Sequence, residues 1–323
     1  EELAAIEEAN RPMWVNIWYQ KSFQIGVILA ALGLLTVILF LQDKFTQRPR
    51  FLHWLRRGYL VFTVVFIGWY ALGQLSVVNV LTFVHALFQD FRWELFLSDP
   101  VIFIIWTFTA ASILLWGRGV FCGWLCPFGA LQELINEAAR KLKIPQYELP
   151  FAVHERLWAI KYIVLLVLFG ISLESMMMAE KAAEVEPFKT AITLKFDRQW
   201  WFVAYAVFLL VINIFTRKVY CRYVCPLGAA LSISSKVRLF DWLKRRPECG
   251  SPCQLCAKEC EIQAIHPDGH INHNECHYCL DCQMTYHNEN KCPPLILKNK
   301  RAKRGKKAPA DPSLIPVVQV VEP

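Results

Sequence analysis

No Gly-rich loop able to cradle a phosphate, no nucleophile elbow and no pair of catalytic carboxylates occurs in this sequence of 323 residues. Nucleotide hydrolysis, acyl transfer and glycosyl chemistry are therefore left without machinery. Cys-x-x-Cys-His is missing too, which excludes covalent c-type haem. No DNA-recognition motif is present, so nucleic acid is not an expected partner. The chain opens on Glu1 with neither an initiator Met nor a signal peptide, and we expect a periplasmic portion upstream.

Apolar and aromatic residues are abundant. Hydrophobic residues make up 55%, with 12 Trp and 22 Phe, above the usual soluble composition. Five apolar runs approach membrane-spanning length, at about 23–41, 59–80, 100–116, 157–176 and 200–216. Trp14, Trp18, Trp54, Trp116, Trp158, Trp200 and Trp201 crowd their edges as interfacial belts do. Lys and Arg concentrate in the first loop (Lys44, Arg48, Arg50, Arg56, Arg57), the third (Arg118, Arg140, Lys141, Lys143, Arg156) and after the fifth run. The second loop carries Arg92 against Asp90, Glu94 and Asp99. The positive-inside rule then puts the N-terminus in the periplasm and the C-terminal region in the cytoplasm of a bacterial inner membrane. His85 lies toward the outer end of the second run, whereas His53 and His154 flank runs on the inner side. They form no facing pair for haem and read as interfacial or hydrogen-bonding residues. Lys161 and Glu174, near the ends of the fourth run, read as snorkelling side chains, with a quinone-site or proton role as the sharper alternative.

The 12 cysteines fall into two spacing patterns. Four belong to a repeat: Arg118-Gly-Val-Phe-Cys-Gly-Trp-Leu-Cys-Pro-Phe-Gly-Ala130 matches Arg217-Lys-Val-Tyr-Cys-Arg-Tyr-Val-Cys-Pro-Leu-Gly-Ala229 at an offset of 99 residues. Each copy ends a two-helix hairpin, so the pattern reads as a duplicated two-helix unit. Pro127 and Pro226 suit the first turn of a new helix, which puts the cysteines in the break before it. Leu131, Leu134, Ile135, Ala138 and Leu142 supply an apolar face for the first of these helices. If the copies pack around a pseudo-two-fold axis, Cys122, Cys126, Cys221 and Cys225 converge at the membrane edge. Four thiolates can hold an iron–sulfur cluster or another metal; thiol–disulfide chemistry and plain packing are the alternatives.

The other eight are Cys249, Cys253, Cys256, Cys260, Cys276, Cys279, Cys282 and Cys292. A disulfide framework needs an oxidising compartment, whereas these follow basic segments assigned to the cytoplasm. Structural zinc is the closer rival, given Cys-x-x-Cys pairs beside His266, His270, His273, His277 and His287. Two runs of three close cysteines, each with a separated fourth, favour two [4Fe–4S] clusters. Between the groups, Asp268-Gly269 offers a hairpin turn between short strands.

Cysteines bracketing a small hairpin resemble the bacterial two-cluster ferredoxin, in which the fourth cysteine of each run serves the other cluster. That likeness implies one cluster on Cys249, Cys253, Cys256 and Cys292 and another on Cys276, Cys279, Cys282 and Cys260. The match is imperfect: the first gap is longer, Glu261 replaces the usual proline, and nine residues separate Cys282 from Cys292. The insertion 283–291 reads as a cover for a cluster or a dock for a partner.

Phe-Cys-Gly-Trp-Leu-Cys-Pro-Phe-Gly-Ala, its repeat and the ferredoxin-like module together resemble the NosR/NapH group of membrane iron–sulfur proteins, over about residues 10–295. A first helix beyond the four of the repeat favours the branch that supports nitrous oxide reductase over the NapH-type quinol dehydrogenases. The resemblance implies electron transfer in denitrification, serving expression and activity of periplasmic nitrous oxide reductase alongside its maturation proteins. It also implies FMN in a periplasmic domain outside this chain, with quinol or a cytoplasmic carrier as donor. Copper reduction or trafficking, and membrane redox signalling to transcription, are the rival readings.

The expected architecture is a mostly α membrane protein with five transmembrane helices and a small α+β ferredoxin-like domain. We divide it into an approach segment (1–22), helices one to three with the first cysteine element (23–146), helices four and five with the second (147–246), the module (247–297) and a basic disordered tail (298–323). The tail's cations suit anionic membrane lipid. A variant with all eight module cysteines changed to serine is expected to retain iron and acid-labile sulfide at the repeat. Metal-free protein would exclude a cluster there.

Overall fold

The structure is a computed structural model that describes residues 13–88, 93–250 and 253–307. Residues 1–12 of the approach segment, Asp90 and Arg92 of the second loop, and 308–323 of the tail lie outside them. The principal helices are α1 (Ser22–Phe40), α2 (Pro49–Phe62), α3 (Val77–Phe88), α4 (Pro100–Leu115), α5 (Pro127–Lys141), α6 (Phe151–Glu174), α7 (Trp200–Phe215), α8 (Pro226–Ser234), α9 (Leu255–Glu259), α10 (Asp281–His287) and α11 (Pro293–Lys307). Five of them open on proline, where a missing N–H costs nothing because no intrahelical acceptor awaits it. At α4 the Asp99 carboxylate also accepts from the Val101 N–H at 3.3 Å.

Among the described residues two helices, α1 and α6, are long and apolar enough to cross a membrane. The apolar helices α3, α4 and α7 have only 12, 16 and 16 residues; sixteen residues rise about 24 Å, short of a hydrocarbon core of about 30 Å. The expected second span at 59–80 is not one helix. α2 continues as a π-helix, Thr63–Tyr70, and the chain then breaks before α3. The break is stabilised in place. A Cβ on Gly73 would lie 2.7 Å from the Ile105 side chain, and the Ser76 N–H bonds the Asn79 Oδ1 at 2.9 Å. The Glu186 carboxylate accepts from the Ser76 hydroxyl at 2.5 Å and from the Val77 N–H at 3.1 Å, capping α3 from a distant segment.

α5 keeps only part of its expected apolar face, with Leu131 and Leu134 packed on Leu60, Val64 and Ala130. Its buried face carries Gln132, Glu133 and Asn136, while Ala138 and Leu142 are exposed. The polar residues turn inward because their partners are there: Arg56 at 2.8 Å and Lys218 at 2.6 Å from Glu133, and the Asn213 carbonyl 2.9 Å from the Asn136 amide. α5 packs on α2 and α7, and α6 packs on α8.

The cysteine-rich module sits against this bundle through buried ions. Arg118 is 1% exposed; its Nη1 donates to the Gly228 carbonyl at 2.7 Å and its Nη2 to the Glu275 carboxylate at 2.9 Å. Lys161, fully buried, ion-pairs with the same carboxylate, and the Tyr162 hydroxyl donates to it at 3.0 Å. Lys161 therefore does not snorkel: it serves Glu275. Burial alone would raise the Glu275 pKa, but Arg118 and Lys161 override it and hold the carboxyl below its ordinary range.

The module contains no named strand among the described residues, so its expected α+β character reduces to a hairpin with one antiparallel bridge, Ile265 to Ile271. Gly269 at φ 92° supplies the turn, and the His266 N–H bonds the His270 carbonyl at 2.8 Å. Residues 298–307 of the expected disordered tail continue α11. Replacing Glu275 with alanine strands two buried cations and should cost roughly 3–5 kcal/mol, read as lowered thermal stability in detergent. Asp241→Ala, which removes the exposed partner of Arg238, should leave stability nearly unchanged.

Candidate metal centres

The two Cys-Pro-x-Gly turns share a local geometry. Cys126 (φ −77°, ψ 111°) caps α5 and Cys225 (φ −62°, ψ 107°) caps α8, each from an extended backbone. Each Sγ accepts the N–H three residues on, Gly129 at 3.4 Å and Gly228 at 3.2 Å. Cys122 lies on the π-helix Phe121–Leu125 and Cys221 on the helical turn Val219–Tyr223. All four cysteines line one enclosed cavity with Phe121, Phe188, Leu227 and Gly228. The two copies therefore contribute two cysteines each to one cavity.

The site lies between the module and the helical bundle. One side faces the module, since a Cβ on Gly119 would lie 2.6 Å from the Cys276 carbonyl oxygen. Phe188, from the segment that connects α6 to α7, also lines the cavity. Two side-chain amides reach the sulfurs: Gln74 Nε2 is 3.7 Å from Cys126 Sγ, and Gln132 Nε2 is 3.6 Å from Cys221 Sγ. The sequence reading missed Gln74, Gln132 and Phe188. A lone glutamine in the apolar run around residue 74 was the available signal.

In the module, Cys260 joins Cys276, Cys279 and Cys282 around one small cavity walled by Leu243, Ile262, Ile265 and Ile271. The fourth cysteine of the first run thus sits with the three of the second. Cys249 and Cys253 are bridged through their backbones. Arg246 gathers Cys249 and Cys292, its backbone N–H 3.4 Å from the first sulfur and its Nη1 3.1 Å from the second. Backbone N–H groups also point at sulfur, from Ala264 to Cys260 at 3.3 Å and from Tyr278 to Cys276 at 3.4 Å. Tyr278 (φ 52°) and Leu280 (φ 66°) adopt left-handed conformations to wind the loop around its cysteines.

The histidines of the zinc alternative are dispersed. His266 packs on Phe151, His273 lies 3.7 Å from Asp241, and His287 lies 3.7 Å from Asp43. Among the described residues no group of three His, Cys, Asp or Glu closes up as around a single ion. Four sulfurs about an apolar-walled cavity, with N–H donors aimed at them, fit a cluster. Burial pushes the Cys276 thiol up to about 12. Of the other histidines, His154 Nδ1 meets the Tyr223 hydroxyl at 2.7 Å and His85 Nε2 the Ser172 hydroxyl at 3.4 Å, hydrogen-bonding roles as expected.

Comparison with known proteins agrees with this chemistry. A family model described as a 4Fe-4S binding domain matches twice, at residues 98–145 and 198–248, and the NosR family model matches residues 247–303. The chain is 90% identical over its full length to the regulatory protein NosR of Stutzerimonas stutzeri, covering 44% of that protein. It belongs to the NosR family. Against NosR of Pseudomonas aeruginosa it is 77% identical over 98% of its length and 44% of the relative. The protein NirI of Paracoccus denitrificans is 49% identical over 91% of the chain and 43% of the relative. The chain thus spans less than half the length of these NosR and NirI relatives. No solved structure matches it.

The grouping of module cysteines makes a quantitative prediction. Changing Cys260, Cys276, Cys279 and Cys282 together to serine should remove one cluster's iron and sulfide and leave the other module cluster intact. Pairing within each run would instead damage both, and iron analysis distinguishes the two.

Proposed function

We propose that this chain is a transmembrane electron conduit that supports the expression and activity of periplasmic nitrous oxide reductase. Its N-terminus lies on the periplasmic side and its module in the cytoplasm, with five apolar helices and a duplicated two-helix unit forming the membrane part. Two [4Fe–4S] clusters occupy the module and a third cluster occupies the site of Cys122, Cys126, Cys221 and Cys225. Electrons enter from quinol or a cytoplasmic carrier and leave toward an FMN-bearing periplasmic domain of the longer family protein. When bound, the clusters supply one-electron carriers; the protein supplies insulation, position and potential.

The observation that carries this reading is serial placement. Cys260, Cys276, Cys279 and Cys282 share one cavity, the Cys276 backbone abuts Gly119, and the next cavity holds the four repeat cysteines. Phe188 lines that second cavity, and Glu186, two residues before it, caps α3. Centres arranged this way lead from the module into the bundle. Apolar walls keep water from them, and the sulfur-directed N–H groups stabilise added negative charge, which raises potential.

A redox titration of the anaerobically purified full-length protein, followed by electron paramagnetic resonance, should reveal three iron–sulfur centres. Serine at Cys122, Cys126, Cys221 and Cys225 should remove one centre and leave nitrous oxide reductase inactive in cells. Only two centres in the native protein, or undiminished enzyme activity in that variant, would overturn the proposal.

A further inference from the structure

The two copies of the repeat differ where the module meets them. At the aligned positions the first copy has Gly119 and Gly123, and the second has Lys218 and Arg222. Lys218 and Arg222 are buried and spend their side chains on Glu133 and on Gln263. The glycines have no side chain, and module backbone fills the space. A Cβ on Gly119 would sit 2.6 Å from the Cys276 carbonyl oxygen and 2.8 Å from the Tyr278 nitrogen. A Cβ on Gly123 would overlap the His277 carbonyl oxygen outright. Neither glycine has the positive φ that would demand glycine for conformational reasons. Close approach is what the positions require.

The contact is held from both flanks. Trp124 Nε1 donates to the Tyr278 carbonyl at 3.0 Å, and Arg118 Nη2 donates to the Glu275 carbonyl at 3.1 Å. His277 itself is 2% exposed. Gly123 is bonded to Cys122 and His277 to Cys276, and these cysteines line different cavities. One through-space contact thus separates two cysteines from neighbouring sites.

We infer that the Gly123–His277 contact is the bridge over which electrons pass between the module and the inner centre, with Gly119 and Gly123 as positioning residues that set its length. The inference rests on the proposed occupancy of both sites by iron–sulfur clusters. Cys260, Cys276, Cys279 and Cys282 would hold the donor centre and Cys122, Cys126, Cys221 and Cys225 the acceptor, and the contact would carry one electron from the first, which is oxidised, to the second, which is reduced. No bond forms or breaks and no proton moves.

Gly123→Ala in the full-length protein tests this, because the added methyl must push the two backbones apart. With iron content unchanged, the spin–spin splitting between the two centres after dithionite reduction should diminish. Freeze-quenched samples should show reduction of the inner centre slowed severalfold while the module's own reduction keeps its rate. Gly170→Ala, with nothing within 4 Å of the new methyl, should change neither. Trp124→Phe removes the flanking hydrogen bond without a clash, should act in the same direction, and decides the matter if Gly123→Ala does not fold. Full iron content with unaltered splitting and rate in Trp124→Phe and in folded Gly123→Ala would overturn the bridge alone. A native protein with no inner centre would overturn the proposed function as well.

Discussion

The architecture depends on one buried carboxylate. Glu275 accepts from Arg118, Lys161 and Tyr162, which come from the first cysteine element and from α6, while Arg118 also holds the Gly228 carbonyl of the second. One anion thus ties the module to both copies of the repeat. In an environment of low dielectric such a set stabilises only when complete, since a lost partner leaves an uncompensated charge. That requirement is also geometric: donors on two separate segments, Arg118 on one and Lys161 with Tyr162 on the other, must converge on one carboxylate, which restricts the docking pose. Because Cys276 is the next residue, the pose that satisfies Glu275 also positions a cysteine of the module against the bundle.

A second ionic set does similar work further out. Arg56 and Lys218 bind Glu133, Lys218 lies 3.5 Å from Glu261, and Arg56 lies 3.5 Å from Asp281. These interactions explain why α5 presents its polar face inward. An apolar stripe normally marks the buried side of a helix because water lies on the other side. Here the ionic and amide partners override it, because the interior of the bundle is where the partners of Glu133 and Asn136 reside.

Chemistry was therefore more legible than shape. Twelve cysteines in two spacings, the repeat at 118–130 and 217–229, and the hairpin around Gly269 could all be read directly, because each is a local pattern with a local cause. The fork of each Cys-Pro turn was legible for the same reason: Pro127 and Pro226 open helices wherever they occur. The interruption at 71–76 was not, since the apolar run continues through it and the carboxylate that caps the helix that follows, Glu186, lies more than a hundred residues away. Lys161 looked like a snorkelling residue because its partner lies on another domain.

By itself, then, the sequence determined the ligand type, the cysteine spacing, the apolar character of the helices and the places where helices start. Those properties depend on neighbouring residues, and neighbours are what a sequence records. Tertiary structure decided which cysteines share a cavity, and that two glycines admit the module's backbone beside them. Such outcomes depend on which distant charges and surfaces meet, and only the packed chain brings Arg118 to Glu275 and Gly123 to His277.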